Sequence, residues 1–236
     1  VGLSEELTPG GKPKQVKVLG EDLILFRDDK GRPGLLELQC PHRLTSLAYG
    51  RVEDGGIRCP FHGWLIDVEG RCLEQPAEPE PFTDKIRQLA YPCQELGGLV
   101  FAYLGPKEKI PLLPRYEVLV REDGSRKTDC YLINSNYLQN VEGAVDTTHA
   151  SYLHMNHWSK FKGRLAALPK PKIEFVETDY GLWQKSHLPV PGDSGPFMQT
   201  MYAHFFMPAG FMRVQESLRQ GGVIQKFQSW YIPMDD

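Results

Sequence analysis

Cysteine is scarce and unevenly placed in this chain of 236 residues: there are five, at 40, 59, 72, 93 and 130. An odd number at irregular spacings argues against a disulfide framework. It points to a reducing cytoplasm, where metal binding is the better use for a paired thiol. Long apolar runs are missing too. No stretch approaches the ~20 residues a membrane span needs, and no charged-then-apolar leader opens the chain. Charge of one sign is nowhere concentrated. The net charge is -3, without a basic arm or acidic tail, so neither a nucleic-acid nor a membrane partner is expected. The dinucleotide-binding glycine fingerprint is also absent. What is present is an ordinary globular composition, 41% hydrophobic and 24% charged, ample for one large or two modest domains.

Residues 1 to about 105 read as short strands with turn punctuation, an all-β module. "KQVKVLG" alternates around Val16 and Val18, and "EDLILFRDDKGRPGLLELQC" reads as two strands joined by a turn at Asp28–Gly31. Gly56–Cys59, Trp64–Val68 and Leu99–Leu104 are further strand candidates. The proline-rich "EQPAEPEPF" is expected to be an extended surface loop. A second proline cluster, "GPKEKIPLLPRYEV", marks a boundary near residue 110, giving domains 1–110 and 111–236. Beyond it, "NSNYLQNVEGAVDTTHASYLH" is the most helix-like stretch, with Asn136 and Gln139 suited to a capping-box start. Strands return in "PKIEFVETDYGLWQKSHL", "FMQTMYAHFFMP", "FMRVQESL" and "VIQKFQSWYIP". The second part is therefore α+β, one prominent helix beside an antiparallel sheet. No internal repeat is visible.

Two short motifs carry the chemistry. "CPHR" supplies Cys40 and His42, and "RCPFHGW" supplies Cys59 and His62. Two such loops can close four ligands on one site. A structural Cys2His2 zinc site is one reading, but zinc fingers pair Cys with Cys and His with His and place the histidines on a helix. Here each loop offers one of each type, among strands. That mixture suits a cluster with both thiolates on one iron and both imidazoles on the other, the Rieske 2Fe-2S centre. Neutral imidazoles in place of thiolates make reduction easier and keep the ligands titratable. "CPHR" with "CPFHGW" resembles the Rieske domain of the ring-hydroxylating non-heme iron oxygenases. The extra cysteine pair of the cytochrome-complex type is absent, so Cys72, Cys93 and Cys130 read as ordinary buried cysteines. Trp64 is expected to pack against the cluster loops.

A second constellation lies in "VEGAVDTTHASYLH": Glu142, Asp146, His149 and His154. On an ideal helix the first three fall within about 60° of one another, whereas His154 points about 140° from His149. One metal held by both histidines requires the helix to end, bend or bulge between them. Two histidines and a carboxylate make the facial triad of non-heme iron(II) oxygenases. The spacing resembles the mononuclear iron motif of the same family. That resemblance makes His149 and His154 iron ligands. It makes Asp146 a bridge between a histidine of the iron site and a Rieske histidine, His62, of a neighbouring subunit. A carboxylate between two imidazoles fixes their orientation and couples their protonation. The resemblance also implies a homotrimer, one Rieske 2Fe-2S cluster, one mononuclear Fe(II), and an NAD(P)H-dependent flavin/iron-sulfur reductase as electron donor. The activity implied is mono- or dihydroxylation, or oxidative demethylation, of an aromatic or other cyclic compound with O2, in the manner of the phthalate-dioxygenase group. Its N-terminal fold would be an antiparallel β sandwich, and its catalytic domain an antiparallel sheet with helices.

The pattern is incomplete. The family's carboxylate ligand comes from a helix far downstream of the histidine pair, and this chain ends at Asp236. Asp179 and Asp193 sit in turn-like contexts, and Asp235 and Asp236 follow a strand. No third ligand is assigned; the chain reads as a segment of something longer. His157, His187 and His204 are expected in surface or packing roles, and Arg213 as a solvated strand arginine. Two alternatives stand beside this reading: a Rieske ferredoxin-like electron carrier and a zinc-stabilised binding module.

Overall fold

The computed structural model describes residues 1–149, 153, 172–190, 197–206, 211–218 and 224–234. Two compact units divide the chain: Val1–Leu132, joined by Met234, and Ile133–Pro233. Among the described residues no helix is long and apolar enough to cross a membrane.

The first unit is built from eleven short strands in three antiparallel sheets. The first sheet runs β2 (Lys14–Val18), β3 (Glu21–Arg27), β4 (Pro33–Glu37) and β9 (Ala90–Tyr91). The second runs β5 (Arg51–Glu53), β6 (Gly56–Arg58), β7 (Leu65–Asp67) and β8 (Cys72–Glu74). The third places β11 (Leu99–Ala102) between β1 (Gly2–Leu3) and β10 (Cys93–Leu96). A four-residue helix, α1 (Glu117–Val120), follows.

Strand β3 organises this unit. Leu23, Ile24, Leu25 and Phe26 are all buried, so both faces of the strand are covered. Because side chains alternate across a strand, Ile24 and Phe26 enter one core while Leu23 and Leu25 enter another. The first core gathers Leu36, Leu47, Ile57 and Ile66 around Cys40, Cys59 and Trp64. The second gathers Leu7, Leu35 and Val100. Each fully buried aliphatic or aromatic side chain contributes roughly 1.5–3 kcal/mol.

One five-residue turn occurs twice, a local repeat inside a sequence with no visible larger one. In Asp28–Arg32, between β3 and β4, the Asp28 carboxylate accepts from the N–H of Lys30 (3.1 Å), the N–H of Arg32 (2.7 Å) and Arg32 Nε (2.8 Å). In Asp67–Arg71 the Asp67 carboxylate accepts from Glu69 (2.9 Å), Arg71 (2.8 Å) and Arg71 Nε (2.7 Å). Both aspartates are buried.

In the second unit, β12 (Lys172–Thr178), β13 (Gly181–Val190), β14 (Phe197–Phe206), β15 (Phe211–Leu218) and β16 (Ile224–Tyr231) form an antiparallel meander in sequence order. Helix α2 (Tyr137–Val145) packs on it through Ala144, which shares a core with Ala203 and Phe205. Asn136 caps α2, its side chain accepting from the Leu138 N–H at 2.9 Å. The fold is thus an all-β module followed by a sheet-rich α+β module, as the strand and helix patterns predict. Two details differ from expectation: Cys130 is exposed and Cys93 only partly buried.

Candidate metal centres

The two cluster motifs fold into matching loops. Cys40 N–H donates to the Thr45 carbonyl (2.9 Å) and Leu44 N–H to the Cys40 carbonyl (2.9 Å). Cys59 N–H donates to the Trp64 carbonyl (2.8 Å) and Gly63 N–H to the Cys59 carbonyl (3.1 Å). The fifth residue of each loop is left-handed: Leu44 at φ 57 and Gly63 at φ 77. Glycine suits that conformation, and at Gly63 an added Cβ would also lie 2.8 Å from Pro76 Cγ.

These loops bring together the four predicted residues. Cys40 and Cys59 are buried in the same core. Burial first, then the Cys59 sulfur, pushes the Cys40 thiol up to about 12. A thiol in that setting ionises readily only beside a cation. The His42 and His62 rings lie edge to face with centroids 4.7 Å apart. His62 Nδ1 is fully buried without a protein partner, although the residue as a whole is half-buried. A buried ring nitrogen without a protein partner suits an inward-facing ligand atom. Among the described residues no three His, Cys, Asp or Glu side chains gather around a single-ion site. A two-iron cluster needs two pairs of ligands instead, and these four residues fit it.

Three neighbours set the loops in place, and motif reading singled out only Trp64. Trp64 stacks on His42 with centroids 4.6 Å apart and planes 4° from parallel. Glu78 Oε1 stands 3.9 Å from His42 Nε2. Arg58 ties the second loop down: it donates to the Gly63 carbonyl (2.9 Å), Glu74 (2.9 Å) and Asp54 (3.0 Å), and its Nε to Glu53. The arginine was visible in "RCPFHGW", but nothing in the sequence said where its side chain would turn.

The second constellation is arranged differently from the expected single helix face. Helix α2 stops at Val145, and Asp146 is its C-cap with extended ψ 108. Glu142 is therefore on the helix while Asp146 and His149 lie beyond it. A break falls before His149, because Asp146 competes for the backbone donors that would continue the helix. Its Oδ1 accepts from the Thr148 N–H at 2.7 Å, and its Oδ2 is 3.4 Å from His149 Nδ1. The Thr148 N–H first, and then the His149 backbone and ring, hold the Asp146 carboxyl below its ordinary value. Helical geometry resumes by Leu153, whose N–H donates to the His149 carbonyl at 2.7 Å. His154, His157, Asp193, Asp235 and Asp236, and the side chain of Arg213, lie outside the described residues. Asp179 is in the β12–β13 turn, and His187 Nδ1 lies 2.9 Å from Thr200 Oγ1.

Residues 1–93 match the Rieske [2Fe-2S] domain family. The chain is 36% identical over 245 residues to the 3-chlorobenzoate-3,4-dioxygenase oxygenase subunit of Comamonas testosteroni, covering 99% of this chain and 54% of that protein. It is 43% identical over 196 residues to the phenoxybenzoate dioxygenase subunit alpha of Ectopseudomonas oleovorans, covering 75% and 47%. The chain thus spans about half the length of these curated relatives. The crystal structure of dicamba monooxygenase bound to dicamba superposes with a TM-score of 0.78 at 19% identity, over 99% of this chain and 72% of that one; at that identity it shows the fold alone. With paired Cys–His loops and the domain match, the first unit carries a Rieske [2Fe-2S] domain, and the chain as a whole is similar to the oxygenase subunits of aromatic-ring dioxygenases over about half their length.

Proposed function

We propose that the protein is the terminal oxygenase component of a multicomponent system that hydroxylates or oxidatively demethylates an aromatic or other cyclic compound. The observation that carries this is one chain pairing two converging Cys–His loops with a separate carboxylate–imidazole pair. A ferredoxin-like carrier has no use for the second. When bound, the Rieske cluster supplies one-electron transfer and a mononuclear Fe(II) supplies dioxygen activation.

The residues divide the labour. Cys40 and Cys59 would hold one iron of the cluster, and His42 and His62 the other. His149 and His154 would be ligands of the mononuclear iron. Asp146 orients the His149 ring from 3.4 Å and bridges to His62 of a second copy of the chain, within a homotrimer. Residues 1–110 then make the Rieske domain and 111–236 the front of the catalytic domain. Electrons come from NAD(P)H through a separate flavin/iron-sulfur reductase, in the cytoplasm, a division of labour supported by relatives named as subunits of larger systems. Relatives named for 3-chlorobenzoate, phenoxybenzoate and 5,5'-dehydrodivanillate support an aromatic substrate.

Substituting Asp146→Asn in the intact protein tests the bridge. The visible spectrum of the cluster should be unchanged while product formation with reductase and O2 falls by about 10- to 100-fold or more. Product formation at the unsubstituted rate would refute the bridging role.

A further inference from the structure

The end of α2 leaves an unsettled account of hydrogen bonds. In a continuing helix the Val145 carbonyl would accept from the N–H of residue 149. Here α2 ends at Val145, the Asp146 carboxylate takes the Thr148 N–H at 2.7 Å and stands 3.4 Å from the His149 ring, and the Val145 carbonyl takes another donor. Gln184 supplies it: its Nε2 donates to the Val145 carbonyl at 2.8 Å. Gln184 sits in β13, paired with Ala203 of β14 and Phe175 of β12. At 1% exposure it is among the most buried side chains of the chain. A buried amide in a strand is costly unless it is hydrogen-bonded, and an aliphatic residue would fill the space more cheaply. The polar side chain is accounted for by the helix end it meets.

We propose that Gln184 is a positioning residue for the Asp146–His149 pair. By satisfying the last carbonyl of α2 it stabilises the break in the helix, and the break is what lets the His149 ring meet the Asp146 carboxylate. Without that donor, the carbonyl's best available partner is the His149 N–H, and taking it would extend α2 and withdraw His149 from Asp146. The inference rests on the reading of Asp146 and His149 as parts of a metal centre.

Equilibrium dialysis of cobalt(II) against the intact, cluster-loaded protein, depleted of mononuclear iron, tests it. The visible circular dichroism of the cluster and the melting temperature serve as references. Gln184→Met keeps the size and removes the donor; it should bind cobalt about 10- to 100-fold more weakly with the cluster signal unchanged. Should that variant fail to fold, Gln184→Asn keeps the amide but draws it back by a methylene, and the same loss is expected. Cobalt affinity within about twofold of the unsubstituted protein overturns the inference, and so does a lowered melting temperature with affinity retained, which marks a purely structural role. His149→Ala separates the two levels. If it retains full cobalt affinity, the metal-centre reading fails and the inference with it. If it loses cobalt while Gln184→Met does not, the inference about Gln184 alone fails.

Discussion

Leu44 and Gly63 occupy the same place in the two cluster loops and solve the same backbone problem with unequal success. Both are left-handed, a conformation that costs a non-glycine residue roughly 1–2 kcal/mol. The Leu44 side chain is 73% exposed, so little packing offsets that cost. Leu44→Gly should therefore raise stability by about 0.5–1 kcal/mol in urea or thermal melts, once the unfolded-state freedom of glycine is counted. Gly63→Ala should act oppositely and more strongly, on the order of 2 kcal/mol, because the new Cβ meets both the left-handed cost and Pro76. An unaltered Gly63→Ala melt would mean that the loop relaxes freely. Such a loop would not hold His62 where its buried nitrogen now lies.

Turns, rather than strands, carry much of the specificity at the scale of the element. Asp67 is buried at the start of a turn and accepts three hydrogen bonds from its own loop. Burial alone would push its carboxyl up; the Arg71 side chain and the two N–H donors outweigh this and leave it lowered. A group depressed on folding stabilises the folded state above its unfolded pKa and ceases to as pH falls through its folded pKa. Asp67→Asn should thus cost about 1–3 kcal/mol near neutral pH, and the gap to the unsubstituted protein should narrow below about pH 4. A gap independent of pH would assign the effect to shape, not charge. Most strands were legible because alternation or a continuous apolar run such as "LILF" announces them. The two Cys–His loops were legible because two cysteines and two histidines at close spacing are rare by chance. The break at Asp146 was not. Propensity from Tyr137 to His149 favours one helix, and only the local competition of a carboxylate for backbone N–H groups ends it. Gln184 was illegible for a related reason: its partner is the Val145 carbonyl on a distant segment, and no side-chain pattern encodes a contact to backbone.

The layout of the first unit decides how it should respond to loss of the cluster. Cys40, Cys59 and Trp64 belong to the core on one side of β3 and β4, while Leu23, Leu25 and Leu35 form a separate core on the other. Removing the cluster leaves the buried His62 Nδ1 unpaired, a penalty on the order of 1–3 kcal/mol, and removes whatever cross-links the two loops. The second core contains none of the four proposed ligands, so it keeps β3 and β4 in register. Local rather than global opening is the consequence. Hydrogen exchange on protein stripped of the cluster should therefore accelerate across residues 40–49 and 59–64, while amides of Leu23–Phe26 and of the Gly181–Val190 strand keep their protection. Uniform acceleration across the first unit would show that its two cores unfold as one. Unchanged exchange in both loops would be more damaging, since residues that truly hold a cluster cannot be indifferent to its loss.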